Sequence, residues 1–249
     1  MKTHSGRIAL VTGSALGLGR AICVGLAKRG AAVIGFDLLN SDETGALVTA
    51  AGGQWMGVEG DVSSPEDVAS LFAAIDQQFG RLDVLVNNAG VFPYIRFEDM
   101  TFEQWRKVQN INVDAVFLMC KKAVQVMKRN NYGRIVNIVS CSVEGASRGY
   151  TAYKASKLGM VGFTRGLSAD VGDFGITVNA VSPSFTETPG SNVNINNKAE
   201  KYAAIAQLQA IRRPAEPNDI VGAVLFMASD DCHFVTGQTL YANGGLNYL

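Results

Sequence analysis

The chain has 249 residues and a mass of 26.5 kDa, with 22 Lys+Arg set against 22 Asp+Glu and a sequence pI near 6.7. This length suits one large α/β domain or two small ones, and a composition 47% hydrophobic and 18% charged is too apolar for disorder. The balanced charge gives no electrostatic case for a nucleic acid or anionic membrane partner. Cys23, Cys120, Cys141 and Cys232 are scattered without a Cys-x-x-Cys, which argues against a disulfide framework or a zinc knuckle. No apolar run reaches bilayer-spanning length, and Met1–Gly6 leads into a short apolar run with no signal-peptide h-region. The expected location is the cytoplasm.

Strand-like runs fall at Ile8–Thr12, Ala32–Phe36, Trp55–Glu59, Val84–Val86, Arg134–Val139, Thr177–Val181 and Thr239–Tyr241. Most are near-continuous apolar runs, as strands covered on both faces require. Helical segments alternate with them at Gly17–Arg29, Ser41–Ala51, Pro65–Phe79, Thr101–Arg129, Tyr150–Val171 and Pro217–Ala228. Pro65 opens its helix behind Ser63-Ser64, a first-turn proline with a serine cap available. The alternation predicts a single doubly wound, Rossmann-type α/β domain over residues 1–249, with a parallel seven-stranded sheet. Residues 183–214 break the pattern with Ser184, Thr186, Pro189, Gly190 and a polar Asn-rich run. Their place after the sixth strand's carboxyl end predicts a substrate lid, because ligands of open α/β sheets bind at that edge.

The first strand runs into Thr12-Gly13-Ser14-Ala15-Leu16-Gly17-Leu18-Gly19 and then a helix. Gly13 allows a tight turn, Gly17 lets backbone approach a pyrophosphate, and Gly19 lets helix and strand pack closely. The helix amino end offers N–H groups to an anion, so the loop, Leu16 and Leu18 included, is the expected cofactor cradle. Its G-x-x-x-G-x-G spacing fits the commoner dinucleotide fingerprint only approximately. Asp37, 18 residues past Gly19 at the end of the second strand, can accept from ribose hydroxyls and would repel a 2′-phosphate. No arginine adjoins it, so NAD is preferred over NADP. Asp61-Val62, after the third strand, is placed to reach the adenine, although a helix-capping Asp has the same look.

Tyr153 and Lys157 lie four apart, on one face of a helix. An unperturbed phenol titrates near ~10, and a nearby ammonium favours its ionised form. Such a pair is usually a solvated helix face. Here it follows Ser140 by 13 residues, and Ser140 ends a buried-looking strand at the ligand edge.

In these motifs the chain resembles the classical short-chain dehydrogenase/reductases along essentially its whole length. The matching residues are Thr12-Gly13-x-x-x-Gly17-x-Gly19, Asp61-Val62, Asn87-Asn88-Ala89-Gly90, Asn112-Val113, Ser140, Tyr153-x-x-x-Lys157 and Asn179-x-Val181-x-Pro183. The resemblance implies that Tyr153 is the acid/base and that Ser140 orients the substrate oxygen. Lys157 would bind the nicotinamide ribose and lower the Tyr153 pKa, and Asn112 would hold a water in a proton relay. Asn88, Ala89 and Gly90 would pass beside the adenosine. Pro183, the Thr186 backbone and the Thr188 side chain would complete the cofactor site. The family's usual Pro-Gly at the lid is Pro183-Ser184 here, which removes φ freedom and puts a hydroxyl near the pocket.

The stretch Asn87–Tyr94, Thr101–Trp105 and the Pro-Ser variation resemble bacterial 1-phenylethanol dehydrogenases. That implies a secondary alcohol or ketone with an aryl or bulky apolar group. Tyr94, Cys141, Val143, Tyr150, Phe185 and Ser184 would line its pocket, with Ser142 and Glu144 as polar contacts. A 3-oxoacyl-carrier-protein reductase using NADPH, a sugar or polyol dehydrogenase, and a non-catalytic nucleotide sensor are the alternatives. The joint presence of Ser140, Tyr153 and Lys157 favours an enzyme, and the chemistry needs no metal. Val116, Leu118, Met119, Val161 and Phe163 make two long helices apolar on more than one face, which suggests a homo-oligomer, and the family resemblance implies a tetramer or a dimer.

Overall fold

A computed structural model describes residues 2–188 and 198–248 of the protein. The strands β1 (Ile8–Thr12), β2 (Ala32–Asp37), β3 (Trp55–Glu59), β4 (Val84–Asn87), β5 (Gly133–Ile138), β6 (Ile176–Pro183) and β7 (Thr239–Ala242) form one sheet. Its order is β3-β2-β1-β4-β5-β6-β7, and every pairing is parallel. The chain winds outward from β1 to β3, then returns to place β4 on the other side of β1. The carboxyl ends of β1 and β4 therefore flank the switch point where such sheets bind ligands.

The helices are α1 (Gly17–Lys28), α2 (Asp42–Ala50), α3 (Pro65–Phe79), α4 (Phe102–Gln109), α5 (Ala115–Lys128), α6 (Thr151–Val171), α7 (Lys198–Leu208) and α8 (Pro217–Met227). Side chains alternate across each strand, so the apolar runs feed two cores at once. Leu10, Ile34, Leu85, Ile135 and Val178 pack on one face with α3, α5 and α6 residues such as Leu71, Met119 and Met160. Ala9, Val11, Val33, Val86 and Val136 pack on the other with Ile22 and Leu26 of α1 and Val224 of α8. As its sequence suggests, α3 starts at Pro65 with the Ser64 hydroxyl accepting from Asp67 N at 3.1 Å. Among the described residues no helix is long and apolar enough to cross a membrane.

Three expectations are corrected. The helix expected over Thr101–Arg129 is interrupted by a π turn at Asn110–Asp114, between α4 and α5. Such a turn inserts one residue into the helical ladder, and here it aims the buried Asn112 at the site. The segment expected as a polar lid carries a helix, α7, and its roots are joined by a parallel bridge between Thr186 and Ala215. Pro189 and Gly190, with the Asn-rich run, lie outside the described residues. Val116, Met119 and Val161, cited for a second covering surface, are instead buried in the chain's own core. The apolar side chains that α5 and α6 do expose are Phe117 and Leu158.

Candidate active site

The glycine loop is built for close approach. Gly13 has φ +65, and a Cβ there would lie 2.9 Å from Asn88 Nδ2 and 3.0 Å from Ala89 Cα. A Cβ on Gly19 would sit 1.9 Å from the Gly13 carbonyl oxygen. Asn88 locks the arrangement, donating from Nδ2 to Thr12 O (2.9 Å) and Gly13 O (3.1 Å). Thr12 Oγ1 in turn accepts from the backbone N–H groups of Asn88 and Ala89, each at 3.0 Å. The following helix, α1, has no side-chain cap at Leu16 and no acidic residue in its first turn. Uncapped N–H groups and an unopposed dipole end suit a phosphate, so the loop fits a dinucleotide.

Asp37 closes β2 beside this loop. Its Oδ2 accepts from Ala15 N at 2.8 Å and its Oδ1 from Leu39 N at 2.9 Å. Two backbone donors fix the carboxylate and leave lone pairs for a ribose diol. Arg20 reaches the same loop, yet it is held by Ala15 O, Thr44 and Glu43. Asp61 turns back on Ser63, accepting from its N–H at 2.8 Å and its hydroxyl at 2.7 Å.

Ser140 and the helix-borne pair come together at the carboxyl end of β5. Ser140 faces the Tyr153 phenol and favours its ionised form, and its Oγ lies 2.9 Å from the Ser142 hydroxyl. Lys157, 4% exposed, donates from Nζ to Ile138 O at 2.7 Å. The expected depression of the Tyr153 pKa is not what the structure gives. Burial pushes the phenol up to about 12, Ser140 pulls the other way, and Cys141 and Tyr150 add to the rise. Lys157 stands 5.9 Å from the centre of the Tyr153 ring, and burial lowers it to about 8. Desolvation disfavours both charged forms here, and Lys157 is not among the groups that shift the phenol.

Asn112 is fully buried in the π turn. Its Oδ1 accepts from Val91 N (2.8 Å), and its Nδ2 donates to Val91 O (2.9 Å) and to Ser156 Oγ (2.9 Å). Ser156 passes its own hydrogen to Tyr153 O at 2.7 Å. The Asn112 side chain is thus a brace between the Asn88–Val91 turn and the first turns of α6. Ser156, next to Lys157, was not singled out from the sequence, where it reads as an ordinary small helix residue.

These elements open on a cavity of about 840 Å³. Leu16, Gly17, Leu18, Gly19, Asn88 and Gly90 line its side next to the glycine loop, with Pro183, Thr186 and Thr188. Ser140, Tyr153 and Lys157 lie in its wall with Tyr94, Cys141, Ser142, Tyr150, Ser184 and Phe185. Gly13, Ala89 and Asn112 support that wall from behind. Asp37, Asp61 and Val62 follow β2 and β3 further along the same sheet edge. The Phe92 ring lies 6.0 Å from Tyr153, and Tyr150 lies 5.6 Å from Tyr94 and 6.4 Å from Tyr153, so the wall is a cluster of aromatic rings. Burial pushes the Cys141 thiol up to about 11, so it acts as apolar surface.

Two expected pocket residues fall elsewhere. Val143 is not in the cavity wall, and Glu144 turns away to accept from the Tyr241 hydroxyl at 2.8 Å. The Ser184 hydroxyl is sealed from solvent rather than presented to the pocket, although the residue lines it. The sequence reading missed Phe92, Arg148, Ile205, Leu208, Leu246 and Asn247, all of which line the cavity. Asn247 donates to Cys141 O at 3.0 Å, a contact across 106 residues with no local sequence signal.

Fold and site together define a dinucleotide-dependent oxidoreductase scaffold. The family model described as enoyl-(acyl carrier protein) reductase matches residues 13–247. The chain belongs to the short-chain dehydrogenase/reductase family, whose members bind a nicotinamide cofactor. It is 39% identical over 243 residues to a 3-oxoacyl-(acyl-carrier-protein) reductase of Haemophilus influenzae, covering 97% of this chain and 98% of that one. It is 37% identical to nodulation protein G of Azospirillum brasilense, covering 98% and 99%. A solved structure from Beutenbergia cavernae, described as an NAD(P)-dependent gluconate 5-dehydrogenase with NADP at low occupancy, superposes with a TM-score of 0.92. It is 33% identical, with 98% of each chain covered.

Proposed function

We propose that this oxidoreductase is NAD(H)-dependent and interconverts a secondary alcohol and a ketone that carries an aryl or bulky apolar group. The observation that carries this reading is the aromatic wall of Phe92, Tyr94, Tyr150 and Phe185, converging on Ser140 and Tyr153. Bound nicotinamide supplies the hydride chemistry. As the phenolate, Tyr153 takes the hydroxyl proton during oxidation; as the neutral phenol it gives that proton to the carbonyl oxygen during reduction. Ser140 donates to the substrate oxygen and fixes its distance from the phenol. Lys157, anchored on Ile138 O, faces the Gly90 backbone, where a ribose hydroxyl would pass. Asn112 and Ser156 hold that turn and α6 in register. Asp37 supports NAD, since a 2′-phosphate beside a fixed carboxylate would be repelled.

The comparisons favour a second reading, reduction of a 3-oxoacyl thioester with NADPH. Relatives 35–39% identical carry the name 3-oxoacyl-(acyl-carrier-protein) reductase, and one solved neighbour was described with NADP. The likeness to 1-phenylethanol dehydrogenases rests on sequence motifs alone. A polyol fits less well, because the four aromatic rings leave much of the wall without partners for its hydroxyls. The proposal also includes a homo-oligomer, with Phe117 on α5 and Leu158 on α6 as the exposed apolar contacts, and a cytoplasmic location.

Initial rates with NAD or NADP and a panel of 1-arylethanols, polyols and hydroxyacyl thioesters test the reading. NAD-dependent oxidation of an arylethanol is the expected result. Activity confined to NADPH and a 3-oxoacyl thioester would replace it with the second reading. A Tyr153→Phe variant that retained full turnover would sink the mechanism in either case.

A further inference from the structure

Ser140 has one hydroxyl hydrogen and two lone pairs. The Ser142 backbone N–H donates to its Oγ at 3.2 Å and the Ser142 hydroxyl lies 2.9 Å from it, while Ser140 also faces the Tyr153 phenol, whose ionised form it favours. The backbone N–H can only donate, so it occupies one lone pair permanently. One lone pair and one hydrogen remain for two hydroxyl partners, and they can be shared in two ways. In the first, Ser140 donates to Ser142 and accepts from a protonated Tyr153. In the second, Ser142 donates to Ser140, and Ser140 donates to an ionised Tyr153 oxygen. Every bond to Ser140 is satisfied in both.

We propose that Ser142 is a positioning residue for this site, whose hydroxyl lets Ser140 reverse between accepting from Tyr153 and donating to it. The reversal rotates two hydroxyls and passes no proton between the serines. It matches the neutral and the ionised phenol with a complete hydrogen-bond set each, as a reaction that runs in both directions requires. A substrate carbonyl also needs the donating orientation, and Ser142 stabilises it by giving its own hydrogen to Ser140. The geometry comes from the short 3₁₀ turn Cys141–Val143, which Ser140 caps by accepting from Ser142 N. Remove the Ser142 hydroxyl, and Ser140 keeps its cap but loses the partner that frees its hydrogen.

The inference rests on Tyr153 being the acid/base. The titratable groups facing the phenol are Cys141 on the same turn and Tyr150 and Lys157 on the α6 side, with the Phe92 ring opposite. Ser142→Ala leaves all of them in place. The test is a ¹³C NMR titration of the full chain with labelled tyrosine and saturating NAD, the Tyr153 signal being assigned by its loss in Tyr153→Phe. Ser142→Ala should raise the Tyr153 titration midpoint by roughly 0.5–1 pH unit, the scale of one net hydrogen bond between neutral groups. Ser142→Thr, which restores a hydroxyl, should titrate like the unaltered protein. In oxidation assays the acid limb of the kcat/KM profile should move to higher pH by the same amount in Ser142→Ala. A midpoint unmoved by Ser142→Ala, or moved equally by Ser142→Thr, overturns the inference and leaves the acid/base reading standing. A Tyr153 that never titrates in the unaltered protein, over the range where the fold survives, overturns both.

Discussion

Lys157 Nζ donates to the carbonyl of Ile138 at 2.7 Å, which ties the middle of α6's reactive face to the last residue of β5. The tie buries an ammonium. Burial lowers Lys157 from 10.5 to about 8, so between those values the folded chain binds fewer protons than the unfolded one. Stability contributed by this group therefore rises with pH through that window. Tyr153 has the opposite sign: raised from 10.0 to about 12, it makes stability fall as pH climbs between those values. Lys157→Met should abolish the stability gain between pH 8 and 10.5, and calorimetric Tm against pH for both proteins measures it. The same variant should lose on the order of 10²-fold or more in kcat. Identical Tm slopes in the two proteins would mean that Lys157 is not desolvated as the geometry implies.

In the proposed function, Asp37 is the residue on which cofactor choice turns. Asp37→Ser removes the acceptor for Ala15 N and the charge that would oppose a 2′-phosphate. The KM for NAD should rise about tenfold, the loss expected for hydrogen bonds to a charged group, and NADP should become the better relative substrate. If the unaltered enzyme already prefers NADPH, or if Asp37→Ser leaves the preference where it was, Asp37 is only the anchor of the glycine loop.

Ser156 joins the π turn to α6, and its removal separates positioning from chemistry. In Ser156→Ala the buried Asn112 Nδ2 loses an acceptor at 2.9 Å and the Tyr153 carbonyl loses a donor at 2.7 Å. A buried group left unpaired costs about 1–3 kcal/mol. Each kcal/mol lowers Tm by roughly 2–4 °C in a chain of this size. The side chains proposed as catalytic remain, so kcat should fall well short of its loss in Tyr153→Phe, and thermal melts with steady-state kinetics read both. A variant as inactive as Tyr153→Phe would make Ser156 part of the proton path rather than a brace.

The sheet was legible in the sequence because most of its strands are near-continuous apolar runs separated by helical segments. All seven lie where the apolar runs put them, with ends shifted by a residue or two. The cradle and the Ser140–Tyr153–Lys157 group were legible for a different reason. Each sits at a fixed place relative to a strand end or along a helix turn, so spacing carried the information. What stayed hidden depends on contacts between distant segments. The π turn at Asn110–Asp114 is set by what Asn112 touches on Val91 and Ser156, not by local propensity. Helix α7 follows a polar run and has little amphipathic pattern of its own. Leu246 and Asn247 join the cavity only because the C-terminal segment folds back onto the turn after Ser140. The upward shift of Tyr153 was also invisible, since spacing reports a nearby lysine but not how dry the site is.

Two glycines on helices give the sharpest contrast between a residue needed for closeness and one that is merely tolerated. A methyl on Gly19 would sit 1.9 Å from Gly13 O and 2.7 Å from Asn88 Nδ2, both parts of the nucleotide cradle. The backbone there cannot yield without opening the loop, so Gly19→Ala should cost on the order of 3 kcal/mol. Cofactor affinity should be lost before the fold is. Gly166, inside α6, has nothing within 4 Å of its would-be Cβ. Gly166→Ala should therefore stabilise by about 0.5–1 kcal/mol, since alanine is the better helix former and loses less backbone entropy on folding. Urea unfolding of both variants, with fluorescence titration of NADH, measures the pair. Equal effects from the two substitutions would show that the glycine loop tolerates a side chain at Gly19, and the cradle as described would fall.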